Sequence, residues 1–283
     1  MPNYVPYLVL IMITIPFLIW VIHYTRQIQT LLFYLAFAGM IYFFEFVVVV
    51  LFNAYEYFPG ILSNHYQDNM LGAVVSNTLA VPIMATFIAT LRLRWYWISF
   101  FAFLFGGIEW LFLHLGVYEH HWWKISYTVI SLHFFFWMTK LWIQRVKEGS
   151  LLFQYITYFM CMFTIVDTIF FSLAIFGLRR YHIGVFRDIY HDDTLFTFYY
   201  SLFKTFLFVN AMYWSQKVRW ILLVWITILL TQYLFTSCEM ITFLINPWGF
   251  HIIYMSCILI ITILSYLSLQ SFRRFSKTQG RNI

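Results

Sequence analysis

The sequence predicts an all-α, polytopic integral membrane protein, and two observations support this prediction. The first is composition: 63% of the 283 residues are hydrophobic and 10% are charged, whereas a soluble domain carries about 25% charged residues. A globule of this length cannot bury so much apolar surface, so the lipid bilayer must cover it. The second is the aromatic content of 24%, because amphipathic rings favour the membrane–water interface beside the predicted loops.

Nine segments of the chain are long and apolar enough to be transmembrane helices, which need about 20 mostly apolar residues. The first lacks the basic start and the small-residue cleavage site of a signal peptide, so we expect a retained leading helix. The connectors are short, and we expect no inserted soluble domain. The predicted spans are residues 4–24, 31–52, 69–91, 95–116, 125–143, 151–176, 194–213, 220–245 and 250–271.

The basic residues predict the orientation of these helices. Lys and Arg are enriched in cytoplasmic loops, and an outside N-terminus places 12 of the 17 basic residues on the inner side. We therefore expect a plasma-membrane protein with its N-terminus outside and its C-terminus, the basic tail of residues 272–283, in the cytoplasm. The net charge of +6 is then a topology signal, so we expect the lipid bilayer and not a nucleic acid as a partner.

Two similar stretches predict an internal repeat. YFPGILSNHYQD begins at Tyr57 and YHIGVFRDIYHD begins at Tyr181, 124 positions later (181 − 57). A second match, at an offset of 130, aligns EWLFLHLGVYEHH with EMITFLINPWGFH and pairs Glu109 with Glu239. The prediction is a leading helix (4–24) followed by two parallel four-helix repeats (31–143 and 151–271), related by an axis along the membrane normal. Chance alignment of aromatic-rich segments is the alternative.

Four carboxyl groups inside the predicted spans share a layer roughly 9–14 Å below the outer surface. Because a carboxylate in hydrocarbon is unfavourable, such groups usually face a bundle interior or a wet cavity. The sequence therefore predicts an outward-facing acidic cavity at the repeat interface, with simple helix-to-helix hydrogen bonding as the alternative. Lys204 is expected to form a salt bridge with Asp167 or Glu239. The predicted cavity residues are Glu45, Asn77, Glu109, His133, Asp167, Lys204 and Glu239.

The outer loops contain a second group of polar candidates. Two of their carboxylates fit helix N-cap positions, and the glycines Gly60 and Gly184 fit tight turns. The group comprises Asp68, His121, Asp192 and His251.

The histidines and cysteines predict neither a metal site nor a cofactor. Glu119-His120-His121 and His191-Asp192-Asp193 lack the ligand spacing of a zinc site. A haem needs two histidines at matching depth, and the candidates differ by roughly 9 Å. The cysteines lie in apolar runs without CxxC spacing, which favours buried free thiols over disulfides. They are Cys161, Cys238 and Cys257.

The first half of the chain contains a pattern of polar, proline and aromatic residues. Its members are Glu45, Tyr57-x-Pro59, Asp68, Asn77, Pro82, Glu109 and LGVYEHHWWK (115–124). This pattern resembles an uncharacterised family of small multi-pass membrane proteins common in spore-forming Firmicutes. The resemblance covers about Leu31 to Arg145 and implies a plasma-membrane location, without implying an activity. A looser similarity is to bacterial carotenoid cyclases of the lycopene type, whose Pro-x-Glu-Glu motif is absent here.

Three functional hypotheses follow from the acidic layer. The first is proton- or cation-coupled transport or binding of a small solute, with Glu109 and Glu239 as paired proton carriers. The second is an intramembrane enzyme that acts on a lipid or isoprenoid by carboxylate acid–base chemistry. The third is an assembly or sensory partner without chemistry. The sequence does not decide between these hypotheses, nor does it give the solute or the oligomeric state.

Overall fold

Residues 1–279 form ten α-helices and four three-residue strands, and the chain divides into two units. The computed structural model describes residues 1–279, with 275–279 described by their backbone alone. Unit 1 comprises Met1–Thr157 and unit 2 comprises Tyr158–Lys277. The helix that the sequence predicts to end at 271 continues to Gln279, and residues 280–283 of the predicted basic tail lie outside the described residues.

Unit 1 contains the first six helices and the first two strands. The second and third helices are each extended by a π-helical segment, Phe46–Leu51 and Val74–Ala80. The elements are α1 (Tyr4–Thr25), α2 (Gln29–Glu45), β1 (Tyr55–Tyr57), α3 (His65–Ala73), α4 (Val81–Thr90), α5 (Trp95–His114), β2 (Tyr118–His120) and α6 (Ile125–Lys147).

Unit 2 has a similar order of elements without a counterpart of α1. A π-helical segment, Ala211–Ser215, extends its second helix. The elements are α7 (Leu151–Ile175, whose first residues belong to unit 1), β3 (Arg179–Tyr181), α8 (Ile189–Asn210), α9 (Val218–Ser237), β4 (Ile241–Phe243) and α10 (Pro247–Gln279).

The described helices give a multi-pass, helical membrane protein with fewer clear spans than the sequence predicts. Seven are long and apolar enough to cross a bilayer. α6 and α8, which cover the predicted spans 125–143 and 194–213, are long enough but more polar, so their crossing stays a prediction. The seven are Tyr4–Thr25, Gln29–Leu51, His65–Thr90, Trp95–His114, Leu151–Ile175, Val218–Ser237 and Pro247–Arg274.

The strands were not predicted from the sequence, and they connect the loops within each unit. β1 pairs antiparallel with β2, and β3 pairs antiparallel with β4. Tyr57 lies opposite Tyr118, while Tyr181 lies opposite Ile241. Pairing satisfies backbone N–H and C=O groups that a non-helical loop would otherwise leave without partners near the membrane.

The strand register disagrees with the second sequence match. Tyr118 and Ile241 occupy the same place in their sheets and are 123 positions apart (241 − 118). At that offset Glu109 corresponds to Gln232 (232 − 109), whereas the sequence match at 130 paired it with Glu239. The predicted span 220–245 was too long because the apolar strand at 241–243 resembles helix sequence, and α9 already ends at Ser237.

One carboxylate in each unit organises the loop that follows β1 or β3. Asp68 accepts hydrogen bonds from the backbone N–H groups of Gly60, Ile61 and Leu62, at 2.7–2.9 Å. Asp192 accepts the corresponding bonds at 2.6–3.1 Å, 124 positions later. Its donors are the N–H groups of Ile183, Gly184, Val185 and Phe186.

The N-caps of the following helices are different residues from those predicted. Asn64 caps α3 and Asp188 caps α8, since their side chains accept N–H groups of the first turn. Asp68 and Asp192 lie one turn further on and bond back to the loop instead. Gly60 and Gly184 have φ of +68° and +77°, so the predicted tight turns are confirmed.

Candidate functional site

Unit 1 contains a partly open cavity of about 90 Å³, lined by residues of its helices and its two-stranded sheet. Two of the predicted carboxylates, Glu45 and Glu109, line it together with Asn77. The other lining residues are Leu10, Ile41, Phe44, Tyr55, Tyr57, Ser76, Val81, Phe105, Ile108, Phe112, Tyr118, Trp123, Thr128, Ser131 and Leu132.

Glu45 lies at the end of α2 and is held by one of its two carboxylate oxygens. Its Oε1 accepts hydrogen bonds from the Tyr55 hydroxyl and from Asn77 Nδ2, each at 2.6 Å. Asn77 Nδ2 also donates to the Tyr57 hydroxyl at 3.1 Å. Glu45 Oε2 is buried and has no hydrogen-bond partner among the described residues. This oxygen is free to accept a proton or a donor group of a ligand.

Glu109 on α5 is the second carboxylate of the cavity, and its side chain is 8% exposed. Its Oε1 lies 2.6 Å from His120 Nε2 and accepts a longer hydrogen bond, 3.4 Å, from the Tyr118 hydroxyl. Glu109 Oε2 is also buried without a partner among the described residues. His120 is 18% exposed, so this pair connects the buried carboxylate with the protein surface.

Four aromatic rings from the sheet and the loop after it form one wall of the cavity. The ring of Tyr55 lies 5.4–5.7 Å, centroid to centroid, from the rings of Tyr57, Tyr118 and Trp123. Tyr57 and Tyr118 are 4.6 Å apart. Burial raises the pKa of all three tyrosines well above the usual value, with a further contribution from Glu45. The three phenols therefore stay protonated near neutral pH.

The two π-helical segments of unit 1 adjoin the cavity. One begins directly after Glu45, and the other contains Ser76 and Asn77. A π-turn holds one residue more than an α-turn, which displaces side chains from the ordinary helical register, and such turns are frequent at functional sites. Gly72 contributes to the same packing, because a Cβ there would overlap Tyr57 Cβ.

In unit 2 a buried ion pair occupies the places of uncharged residues of unit 1. Arg179 Nη1 bonds to Asp193 Oδ1, and both side chains are at most 2% exposed. Position 179 corresponds to Tyr55 and position 193 to Asn69 at an offset of 124. Asp193 Oδ1 also accepts the N–H of Tyr181, as Asn69 Oδ1 accepts the N–H of Tyr57. Both units therefore have the hydrogen bond from the tyrosine N–H to the side chain at this position, but only unit 2 has a charged pair there.

Lys204 is another buried basic residue of unit 2, 1% exposed. Its Nζ lies 3.2 Å from the ring centroid of Phe170, 3.6 Å from that of Tyr200 and 5.4 Å from that of Tyr254. The ion pairs of the described residues do not include Lys204, and Asp167 Oδ1 is buried without a hydrogen-bond partner among these residues. The expected salt bridge is therefore replaced by aromatic contacts.

Four of the seven predicted cavity residues do not line this cavity. Asp167 on α7 and Lys204 on α8 lie in unit 2, and the other two are exposed. Glu239 is exposed in the turn after α9, with φ of +57°, so it belongs to no span and is no partner for Lys204. His133 is exposed on α6, although its neighbours Ser131 and Leu132 line the cavity. Adjacent residues of a helix lie on different faces, so His133 lies on a different face of α6 from its neighbours. Hydropathy alone does not predict which face of α6 points inward.

The predicted outer-loop residues form no common site within a unit. Asp68 and Asp192 are buried and hold loops. His121 is exposed, with its Nδ1 2.8 Å from the carbonyl oxygen of Asn53, and His251 is exposed on the first turn of α10. The three cysteines are free, but Cys238 is exposed, contrary to expectation.

The sequence prediction missed the sheet residues of the site. Tyr55, Tyr57 and Tyr118, which line the cavity, and His120, which contacts Glu109, come from the short strands. Alternate residues of a strand point to the same side, so the patterns Tyr-Glu-Tyr and Tyr-Glu-His are compatible with two side chains on one face of a strand. Three residues are too few for a clear strand pattern, so the sequence predicts loops at both places.

The fold and the cavity define this chain as a helical membrane protein with a buried two-carboxylate site in unit 1. No protein-family model, curated protein or solved structure matches the chain. The function therefore has to be inferred from the cavity itself.

Proposed function

We propose that the cavity of unit 1 binds a small solute and that Glu45 and Glu109 exchange protons during its binding or transport. The observation that carries this proposal is a pair of buried Oε2 atoms beside one cavity, both without a hydrogen-bond partner among the described residues. A buried carboxylate oxygen without a donor is costly. A proton or a ligand that satisfies these atoms therefore stabilises the site.

The Glu109–His120 pair supplies a route for the proton. At 2.6 Å, either the imidazole donates to the carboxylate or the protonated acid donates to the imidazole. An imidazole can accept a proton at one ring nitrogen and donate one from the other, and His120 is the more exposed partner. We infer that protons pass between the surface and Glu109 through His120, while Glu45 contacts the solute.

The size of the cavity favours solute binding over lipid chemistry. Sites for drug-sized ligands have volumes of about 300–1,000 Å³, whereas this cavity has about 90 Å³. An isoprenoid or acyl chain exceeds that space, so the hypothesis of a lipid-modifying enzyme receives no support from the cavity.

The finer topology belongs to the same proposal. We propose a plasma-membrane protein with an outside N-terminus, nine spans and two parallel repeats, the first preceded by α1. The matching loop hydrogen bonds of Asp68 and Asp192 support the repeat, and the distribution of Lys and Arg supports the orientation. Membership of the Firmicutes family named above remains part of this proposal.

Proton flux in proteoliposomes under an imposed pH gradient tests the proposed function. The wild type is compared with Glu45→Gln/Glu109→Gln, which keeps the shape of both side chains and removes their exchangeable protons. Glu239→Gln, at an exposed position, is the matched control. We expect flux in the wild type and the control, stimulated by the transported solute, and at least a tenfold reduction in the double variant.

A flux that is equal in all three folded proteins overturns the role of the two carboxylates. His120→Gln provides a second measurement, since it removes the relay without changing the cavity carboxylates. We expect it to slow the flux and to shift its pH dependence. An unchanged pH profile contradicts a route through His120.

A further inference from the structure

Comparison of the two units indicates what kind of ligand the cavity of unit 1 accepts. The turn before the first strand of each unit shows which residues of the two units correspond. In unit 1, the N–H groups of Phe52, Asn53 and Ala54 bond to the carbonyl oxygens of Val47, Val49 and Val48, respectively. In unit 2, the N–H groups of Phe176, Gly177 and Leu178 bond to those of Ser172, Ala174 and Leu173. The donors are 124 positions apart and the acceptors are 125 apart, because the π-helical segment of unit 1 holds one additional residue.

At an offset of 125, Glu45 corresponds to Phe170 (170 − 45). Phe170 is the residue whose ring lies 3.2 Å from the Lys204 ammonium nitrogen. In unit 2 an ammonium group therefore lies beside the position that a carboxylate occupies in unit 1.

The second π-helical segment of unit 1, Val74–Ala80, adds one residue in the same way. Asn69 and Asp193, before this segment, are 124 apart, so the offset after it is 123. Lys204 then corresponds to Val81 (204 − 81), which lines the cavity. Unit 1 thus has a short apolar side chain beside its cavity at the position that a lysine occupies in unit 2.

We propose that the cavity of unit 1 binds a small organic ammonium ion at the place that the Lys204 ammonium group occupies in unit 2. This inference rests on the proposed function, which it deepens by naming the class of solute. The two Oε2 atoms, which have no hydrogen-bond partner among the described residues, supply negative charge and acceptors for N–H groups. Tyrosine and tryptophan rings line the same cavity and favour organic cations.

The volume restricts the ligand further. A cavity of 150 Å³ holds benzene, so about 90 Å³ accommodates roughly three to four non-hydrogen atoms. Methylammonium and ethylammonium fit this limit, while choline exceeds it. A neutral molecule of the same size, such as methanol, leaves the two carboxylates without a counter-charge.

Isothermal titration calorimetry of the full chain in nanodiscs tests the proposal, with methylammonium chloride as the probe at constant ionic strength. We expect saturable binding of methylammonium and none of methanol. Glu45→Gln/Glu109→Gln should weaken binding by at least about 30-fold, because it removes the charge partners of a buried cation. Glu239→Gln should bind like the wild type. Equal affinity for methanol, or unchanged affinity in the double variant, overturns the proposal.

A tethered ammonium group provides a second test that needs no added ligand. Val81→Lys places an ammonium group in the cavity, and Val81→Met places an uncharged chain of similar length there. We expect Val81→Lys to lose methylammonium binding, and its Tm to fall by about 5 °C or more when Glu45 and Glu109 are also replaced by Gln. Val81→Met should respond little to those replacements. An equal response of both variants contradicts the ammonium site.

The outcomes separate this inference from the proposed function. Carboxylate-dependent proton flux without methylammonium binding leaves the proposed function standing and removes the ammonium inference. Methylammonium binding that depends on Glu45 and Glu109, without proton flux, supports the ammonium site and removes proton coupling. Loss of both signals in a folded protein removes both proposals.

Discussion

The two units build the same loop with the same hydrogen bonds but differ in how they balance interior charge. In unit 2, Arg179 pairs with Asp193, and Lys204 lies among aromatic rings near Asp167. The carboxylate of Asp193 therefore has a resident cation, whereas Asp167 Oδ1 is buried without a hydrogen-bond partner among the described residues. In unit 1, Glu45 and Glu109 face a cavity, each with one oxygen left without a partner among the described residues.

This difference indicates a division of roles between the units. A carboxylate that is already paired with a resident cation gains little from a ligand, whereas a buried carboxylate without one gains a great deal. The Arg179–Asp193 pair of unit 2 is therefore expected to be a rigid structural element, and the Glu45–Glu109 cavity of unit 1 is expected to respond to protons and cations. The predictions below test this contrast in order of decreasing expected effect.

The buried ion pair of unit 2 should give the largest difference between corresponding positions. Asp193→Ala leaves Arg179 buried without its partner, which should cost about 3–5 kcal/mol. The matched change in unit 1, Asn69→Ala, removes a neutral acceptor from the Tyr57 N–H and should cost about 1–3 kcal/mol. Unfolding in mixed detergent micelles measures both free energies. Equal costs contradict the contrast in interior charge.

Removal of Lys204 should convert unit 2 into a unit with an open cation site. Lys204→Ala leaves a buried cavity and should cost about 2–4 kcal/mol. Propylammonium has the three carbons and the nitrogen that this substitution removes, so it should restore part of the lost stability, while propanol should not. Thermal unfolding with each additive measures the rescue. Equal effects of the two additives on the variant contradict an ammonium-specific site.

The loop carboxylates should differ by the number of N–H groups that they accept. Asp192 accepts four, but Asp68 accepts three because Pro59 has no N–H. Asp192→Asn should cost about 2–3 kcal/mol and Asp68→Asn about 1–2 kcal/mol. Unfolding of both variants at pH 7 measures these values. A larger cost for Asp68→Asn contradicts the donor count.

The contribution of Asp192 should also depend on pH. Although burial alone raises the pKa of Asp192, the four backbone donors lower it below the ordinary value of about 3.9. The stabilisation is therefore complete above that ordinary value and is lost as the pH falls through the lowered one. The difference between the wild type and Asp192→Asn should persist at pH 5 and shrink below about pH 4. His182 Nδ1 lies 3.3 Å from the same carboxylate. His182→Gln is therefore the control that separates protonation of the histidine from protonation of Asp192.

The sequence predicted the membrane class and both loops because these follow from local composition. The apolar runs are long, and Tyr-x-x-Gly with a following Asp marks each loop directly. Glu45, Asn77 and Glu109 were also recognised, since polar groups stand out within apolar segments. Their association in one cavity inside unit 1 depends on which side of each helix points inward, and local composition does not determine that.

Glu239 and His133 show why the rest of the site was not predictable. Whether Glu239 lies in a helix depends on the pairing of β4 with a strand about 60 residues earlier in the chain, which no local pattern reveals. The inward face of α6 depends on its packing against α4 and α5, and π-helical insertions change the register of α2 and α3. These long-range and irregular features also explain why the second sequence match has an offset of 130, whereas the strand register gives an offset of 123.

The two loop glycines should show the smallest effects and the closest agreement between the units. Both have positive φ, so Gly60→Ala and Gly184→Ala each carry the left-handed strain of about 1–2 kcal/mol. An added Cβ at position 60 meets Asn3 Cβ at an ordinary 3.7 Å, and one at position 184 meets nothing within 4 Å. Steric overlap therefore adds nothing in either unit. Gly107→Ala, at a helical position with open space around it, should be neutral or slightly stabilising and serves as the control. Unfolding free energies that differ between the two loop variants by more than about 1 kcal/mol, as large as the strain itself, would mean that the shared hydrogen bonds do not make the loops energetically equivalent.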